Sequence, residues 1–96
     1  MAAYCYFDVL KILDEDKMAE YKEKALAIVN KYSGRYIVIG GQIDPIEGDF
    51  KPVCPVIIEF PTLVHAHRWY NSKEYSKLKK LRLSAAISDA VFMQGI

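Results

Sequence analysis

Cys54-Pro55-Val56-Ile57-Ile58-Glu59-Phe60-Pro61-Thr62 is the stretch that decides the fold. From Val56 to Phe60 it is apolar on both faces except at Glu59, the pattern of a strand buried in the middle of a sheet. Pro55 has no amide proton, so it belongs at the start of that strand, where a ladder donor can be spared. Pro61 stops the strand, and the Thr62 hydroxyl is a good N-cap for a helix carrying Leu63, Val64, Ala66, His67 and Tyr70. Asn71-Ser72 breaks that helix and Ser72 caps a second piece. The second piece carries Tyr75, Leu78, Leu81 and Arg82, with lysines opposite. Residues 88–94 close the chain as a further strand.

On the N-terminal side, residues 44–53 hold two prolines and a Gly-Asp turn and read as an extended loop. Residues 35–43 read as a strand weakened at its end by Gly40-Gly41. Asp14 is an N-cap followed by acidic Glu15 and Asp16, which suit a helix start. Met18, Tyr21, Ala25, Ile28, Val29 and Tyr32 then recur at steps of three and four, the buried stripe of a helix. Gly34 suits the left-handed position after that helix. Residues 3–12 are aromatic and branched and read as the first strand. The order β-α-β-β-α-β is the split βαβ signature of an α+β, ferredoxin-like sandwich: one domain over residues 1–96, with a four-stranded antiparallel sheet and helices on one face. The other face is largely apolar and needs a cover.

The aromatic count makes the same point. Seven Tyr, four Phe and one Trp stand in 96 residues. Tyr21 and Tyr32 go to the first helix stripe, and Phe7, Tyr36, Phe60 and Phe92 to the sheet–helix core. Tyr4 and Tyr6 are left on the far face, where only a second copy gives them something to pack on. A homodimer is therefore expected. Thirteen basic against 12 acidic residues give a net charge of +1, which argues against a nucleic-acid surface. Lys73, Lys77, Lys79, Lys80 and Arg82 form the one basic cluster. It reads as a solvated helix face or as an anion-steering patch at a pocket mouth. No apolar run is long enough for a membrane span, and the N-terminus shows no signal peptide, so cytoplasmic location is expected. Cys5 and Cys54 are then reduced. They fall on adjacent strands taken as parallel, as two small buried residues close together.

Tyr32-Ser33-Gly34-Arg35-Tyr36 with Gly40-Gly41, Glu47-Gly48-Asp49, Ile57-Ile58-Glu59-Phe60-Pro61 and Trp69-Tyr70-Asn71-Ser72-Lys73-Glu74-Tyr75 stand in that order. Together they resemble the family of small, mostly bacterial proteins called domain of unknown function 1330, over nearly the whole chain. The resemblance implies a subunit of the dimeric α/β-barrel superfamily, with two sheets face to face across a two-fold axis. It implies kinship with cofactor-independent monooxygenases, isomerases and haem enzymes, and no established reaction for the family. Ile39 stands where members often place a basic residue.

Arg35 and Glu59 lead the candidate site residues. Alternation puts Arg35, Ile37 and Ile39 on one face of their strand and Ile57 with Glu59 on one face of theirs, both assigned to the barrel side. Read for structure, they are an ion pair that fixes register, since a charge pair in a dry barrel is costly unless well bonded. Read for chemistry, Arg35 anchors an anion or carbonyl and Glu59 is a carboxylate base. Asp8 either joins them as a third catalytic candidate or faces solvent at a strand edge. His65 and His67 point about 200° apart on a helix, so they cannot pair on a metal. His67 is placed at the helix–sheet pocket and His65 outside it. Ser72 and Tyr75, at a helix N-terminus, are the remaining ligand-binding candidates; as plain packing, Tyr75 with Trp69 and Tyr70 forms core and dimer anchors. No metal cluster, phosphate loop or dinucleotide fingerprint is present, so neither metal nor cofactor is expected.

Three functions fit these residues. The first is a homodimer that binds or transforms a small organic acid or carbonyl compound without metal. The second is a non-catalytic interaction or stress-related dimer. The third, by superfamily analogy alone, is a cofactor-independent monooxygenase-like enzyme.

Overall fold

The computed structural model describes residues 1–96. Along the chain come β1 (Ala3–Ile12), α1 (Glu15–Lys31), β2 (Arg35–Ile39), β3 (Pro55–Phe60), α2 (Leu63–Tyr70), α3 (Lys73–Ala85) and β4 (Ala86–Gln94). The break at Asn71-Ser72 splits the second helical segment, so the full order is β-α-β-β-α-α-β. One sheet runs β2-β3-β1-β4, and every neighbouring pair is antiparallel. This is the expected ferredoxin-like arrangement. The sheet is open, with β2 and β4 as its edges, so a single chain is not a barrel.

Local chemistry sets the helix starts as read. Asp14 Oδ1 accepts from Lys17 N at 3.0 Å, Thr62 Oγ1 from His65 N at 3.2 Å and Ser72 Oγ from Tyr75 N at 3.1 Å. The end of α1 differs from expectation. Ser33, not Gly34, takes the left-handed conformation, with φ 67°. Gly34 is required for space instead. A Cβ there would lie 2.6 Å from Phe60 Cε1 and 2.8 Å from Val29 Cγ1, both on buried core side chains. Gly34→Ala is therefore expected to cost about 1–3 kcal/mol, the usual penalty of overpacking, measured by urea unfolding. A change within 0.5 kcal/mol would contradict this close approach. β2 also stops earlier than expected, at Ile39, because Gly40 (φ 60°) and Gly41 (φ 92°) turn the chain away.

Two β-bulges re-aim side chains. Between Tyr36 and Val38 the pairing with β3 slips, so Arg35 faces Glu59 but Val38 faces Ile57 and Ile39 faces Val56. Simple alternation from Arg35 to Ile39 fails at that bulge. Arg35 stays on the open face, while Ile39 moves to the helix side with Val56. A second bulge between Val9 and Lys11 leaves Leu10 unpaired.

The core lies between the sheet and the helices. Cys5, Phe7, Ile58 and Phe60 come from the strands; Met18, Tyr21, Ala25 and Val29 from α1; Trp69, Tyr75 and Leu78 from α2 and α3. The opposite face carries rows set by register: Met93-Tyr4-Glu59-Arg35, Val91-Tyr6-Ile57-Val38 and Asp89-Asp8-Pro55. Ile87, Val91 and Met93 are about half exposed there. The molecule measures 39 × 36 × 16 Å. Its thin dimension is that of one sheet and one helix layer, with nothing on the far side.

Candidate functional site

α1 packs mainly on α3 rather than on the strands. Glu74 on α3 holds it there, pairing with Lys31 and accepting the Tyr32 hydroxyl at 2.7 Å. Lys31 and Tyr32 lower the Glu74 pKa, and Glu74 in turn raises that of Lys31, so the tether is charged near neutrality. Under α1, on the helix face of β1, β2 and β3, this leaves a cavity of about 640 Å³. Both bulges feed it, because Leu10 and Ile39 are among its walls. Of its 17 lining residues 13 are hydrophobic; the others are Lys11, Glu15, Lys22 and Arg82. The first three are exposed, whereas Arg82 is only 5% exposed. The cavity is thus an apolar pocket with one buried cation in its wall.

Arg82 is held from several sides. Its Nε donates to Tyr75 Oη at 3.3 Å, and its Nη1 donates to Ser88 Oγ at 3.1 Å. The guanidinium carbon sits 4.8 Å from the centre of the Phe7 ring, a cation–π contact. No carboxylate lies within 4.0 Å of it; the ion pairs of the chain are Lys24–Glu20, Lys31–Glu74 and Arg35–Glu59. Burial works against the cation, but Tyr75, Tyr21 and Tyr70 together offset it and hold the guanidinium above its ordinary range. Tyr75 Oη also lies 2.7 Å from Tyr21 Oη. Burial pushes both phenols up, so both remain protonated at neutral pH. The walls therefore present a fixed positive charge and hydroxyls, which suits an anion.

The structure distributes the residues expected from sequence as follows. Arg35 Nε donates to Glu59 Oε1 at 2.7 Å. That pair lies on the open face, on the other side of the sheet from the cavity, with the Arg35 side chain 72% exposed and that of Glu59 25%. Asp8 shares the face but stands four residues along β1 from Tyr4, the residue opposite Glu59, so about 13 Å separates the two rows. Asp8 is buried and takes the backbone amides of Val53 (3.0 Å) and Cys54 (2.8 Å), which fastens the long loop to the start of β3. His67 is exposed and meets the Phe92 ring edge-on at 4.9 Å, outside the cavity. The Ser72 hydroxyl caps α3 and donates to Trp69 O at 2.8 Å. Tyr75 is the one candidate that touches the buried cluster. No group of three or more His, Cys, Asp or Glu side chains comes together.

Arg82 itself was grouped by sequence with the basic helix face. Arg82 is buried instead, and its spacing of seven from Tyr75 and four from Leu78 is the sequence signal that could have placed it inward. The cysteines also differ from expectation. β1 and β3 are antiparallel, so Cys5 faces Ile58, while Cys54 lies beside Val9. Cys5 is buried and its thiol is pushed up to about 12 by burial; Cys54 is exposed at the cavity wall. One equivalent of Ellman's reagent is therefore expected to react quickly at pH 8, at Cys54, with the second thiol released only by denaturant. Two fast equivalents would contradict this placement.

A family model described as domain of unknown function (DUF1330) matches residues 2–96. No curated protein matches the sequence. Among solved structures, a protein of unknown function from Rhodopseudomonas palustris is similar at TM-score 0.73 and 16% identity, covering 99% of this chain and 82% of that one. A dimeric protein of unknown function and ferredoxin-like fold from Bacteroides fragilis is similar at TM-score 0.60 and 18% identity, covering 98% and 96%. A putative antibiotic biosynthesis monooxygenase from Nitrosomonas europaea is similar at TM-score 0.60 and 13% identity, covering 99% and 89%. At these identities the likeness establishes the fold alone.

Proposed function

The chain belongs to the domain of unknown function 1330 family, and we propose that it is a homodimer that binds a small organic acid or carbonyl compound, without metal, in the cavity beneath α1. The observation that carries this reading is Arg82, a buried cation with no acidic partner in the wall of an apolar cavity. Burying an uncompensated charge costs several kcal/mol. A ligand carboxylate converts that cost into charge-assisted hydrogen bonds, bidentate where the fork allows. The cavity volume falls within the range of small-molecule sites. In this reading the open sheet faces of two copies cover each other, and the Arg35–Glu59 pair sets their register. The compartment proposed with it is the cytoplasm; no helix is long and apolar enough to cross a membrane.

A thermal-shift panel of acetate, benzoate, phenylacetate and octanoate tests the reading, followed by calorimetry on the best binder. Arg82→Met keeps the side-chain volume and removes the charge. It is expected to weaken that acid about 10- to 100-fold, since hydrogen bonds to charged groups contribute about 1.5–3 kcal/mol. Equal affinity in the wild type and Arg82→Met would overturn the proposal.

A further inference from the structure

Resting on that cavity as a carboxylate site, we infer that its ligand is a monocarboxylate with an apolar tail, bound head-in, and that the Tyr21 hydroxyl is the second anchor of its carboxylate beside Arg82. The argument follows the protons. A guanidinium has donors and no acceptor, so Tyr75 Oη must accept from Arg82 Nε. Tyr75 is fully buried, and its own proton needs an acceptor. The acceptor within reach is Tyr21 Oη, at 2.7 Å. With this assignment Tyr21 Oη accepts the hydrogen bond from Tyr75, and its own hydroxyl proton has no acceptor in the protein. Tyr21 and Arg82 both line the cavity. Arg82 makes side-chain hydrogen bonds through Nε and Nη1 alone, which leaves Nη2 free.

This end of the cavity therefore offers free donors beside a fixed cation: the Tyr21 O–H and the unused guanidinium N–H groups. A protonated amine would meet the Arg82 cation there and be repelled. An amide or alcohol can take one of these bonds but cannot neutralise the cation, whereas a carboxylate takes two and does. The edge-to-face packing of Tyr21 on Tyr75 and the Phe7 ring against the guanidinium hold the donors in place before binding. Away from this end the walls are Val9, Leu26, Ile39, Val53 and Val56. They suit a hydrocarbon tail, with the charged Lys11, Glu15 and Lys22 exposed at the margin of the cavity.

Calorimetry with octanoate, octanamide, 1-octanol and succinate on wild type, Tyr21→Phe and Arg82→Met tests this. Octanoate is expected to bind the wild type at least tenfold more tightly than either neutral analogue, and more tightly than succinate, which has no apolar tail. Tyr21→Phe retains the ring and is expected to weaken octanoate about 5- to 10-fold and 1-octanol by less. Circular dichroism shows whether the variant is folded, and the ¹³C shift of carboxyl-labelled octanoate reports the lost hydrogen bond independently. If Arg82→Met loses octanoate but Tyr21→Phe does not, the Tyr21 anchor is wrong and the cavity reading stands. Binding of benzoate with none of octanoate, or equal binding of octanoate and octanol, overturns the ligand class. Unchanged octanoate binding by Arg82→Met removes the site itself.

Discussion

Trp69→Ala is expected to lose about 3–5 kcal/mol of stability, the cost of deleting a large buried aromatic. Trp69 is fully buried and sits where three elements meet. Its ring lies 4.3 Å from that of Tyr75, 5.4 Å from Phe60, 5.9 Å from Tyr70 and 6.2 Å from Phe7, centre to centre. Removing it leaves a void that the strands and two helices can fill only by moving together. A domain of this size has about 5–15 kcal/mol in total, so the variant would be close to unfolding. Trp69 Nε1 is also a buried donor without a partner. Trp69→Phe removes that orphan along with part of the ring, so it is expected to cost less than half as much. Urea unfolding of both variants checks this; a loss below 1 kcal/mol for Trp69→Ala would show that Trp69 is not the keystone of the core.

The proposed pairing of open sheet faces predicts the second large effect. Ile57→Asp and Val91→Asp are each expected to convert a dimer at micromolar concentration into a monomer, read by sedimentation. Both residues lie in the middle row of the open face with Tyr6 and Val38. A two-fold interface meets each substitution twice, and each buried carboxylate without a partner costs several kcal/mol. Val91 is half exposed in the single chain, so its variant keeps the fold even if Ile57→Asp does not. A wild-type monomer, or a Val91→Asp dimer as tight as the wild type, would contradict the pairing.

The elements were legible because each carries its own local signal. Asp14, Thr62 and Ser72 announce helix starts by capping chemistry, and the apolar run ending at Phe60 announces a central strand. Side-chain direction was less legible wherever a bulge intervened. Alternation assigns Ile39 to the face of Arg35, but the extra residue between Tyr36 and Val38 turns it to the cavity, and a bulge leaves no mark in residue types. The site was legible only in part. Charge draws attention to Arg35 and Glu59, which face away from the cavity. Arg82 looks like one more cation among lysines, although its spacing from Tyr75 and Leu78 places it on the buried stripe. Tyr21 reads as an ordinary stripe residue, since nothing local shows that its hydroxyl meets that of Tyr75 54 residues later.

The central claim is that an organic acid binds under α1, against Arg82. A ¹H–¹⁵N correlation titration with octanoate tests it most directly, because it reports both the place and the group. The account predicts a shift of the Arg82 Nε–Hε resonance together with amides of Phe7, Met18, Tyr21 and Ile58, and an unmoved open face at Tyr4 and Val91. Shifts confined to the open face around Arg35 and Glu59, with Arg82 Nε–Hε unchanged at saturation, would contradict it.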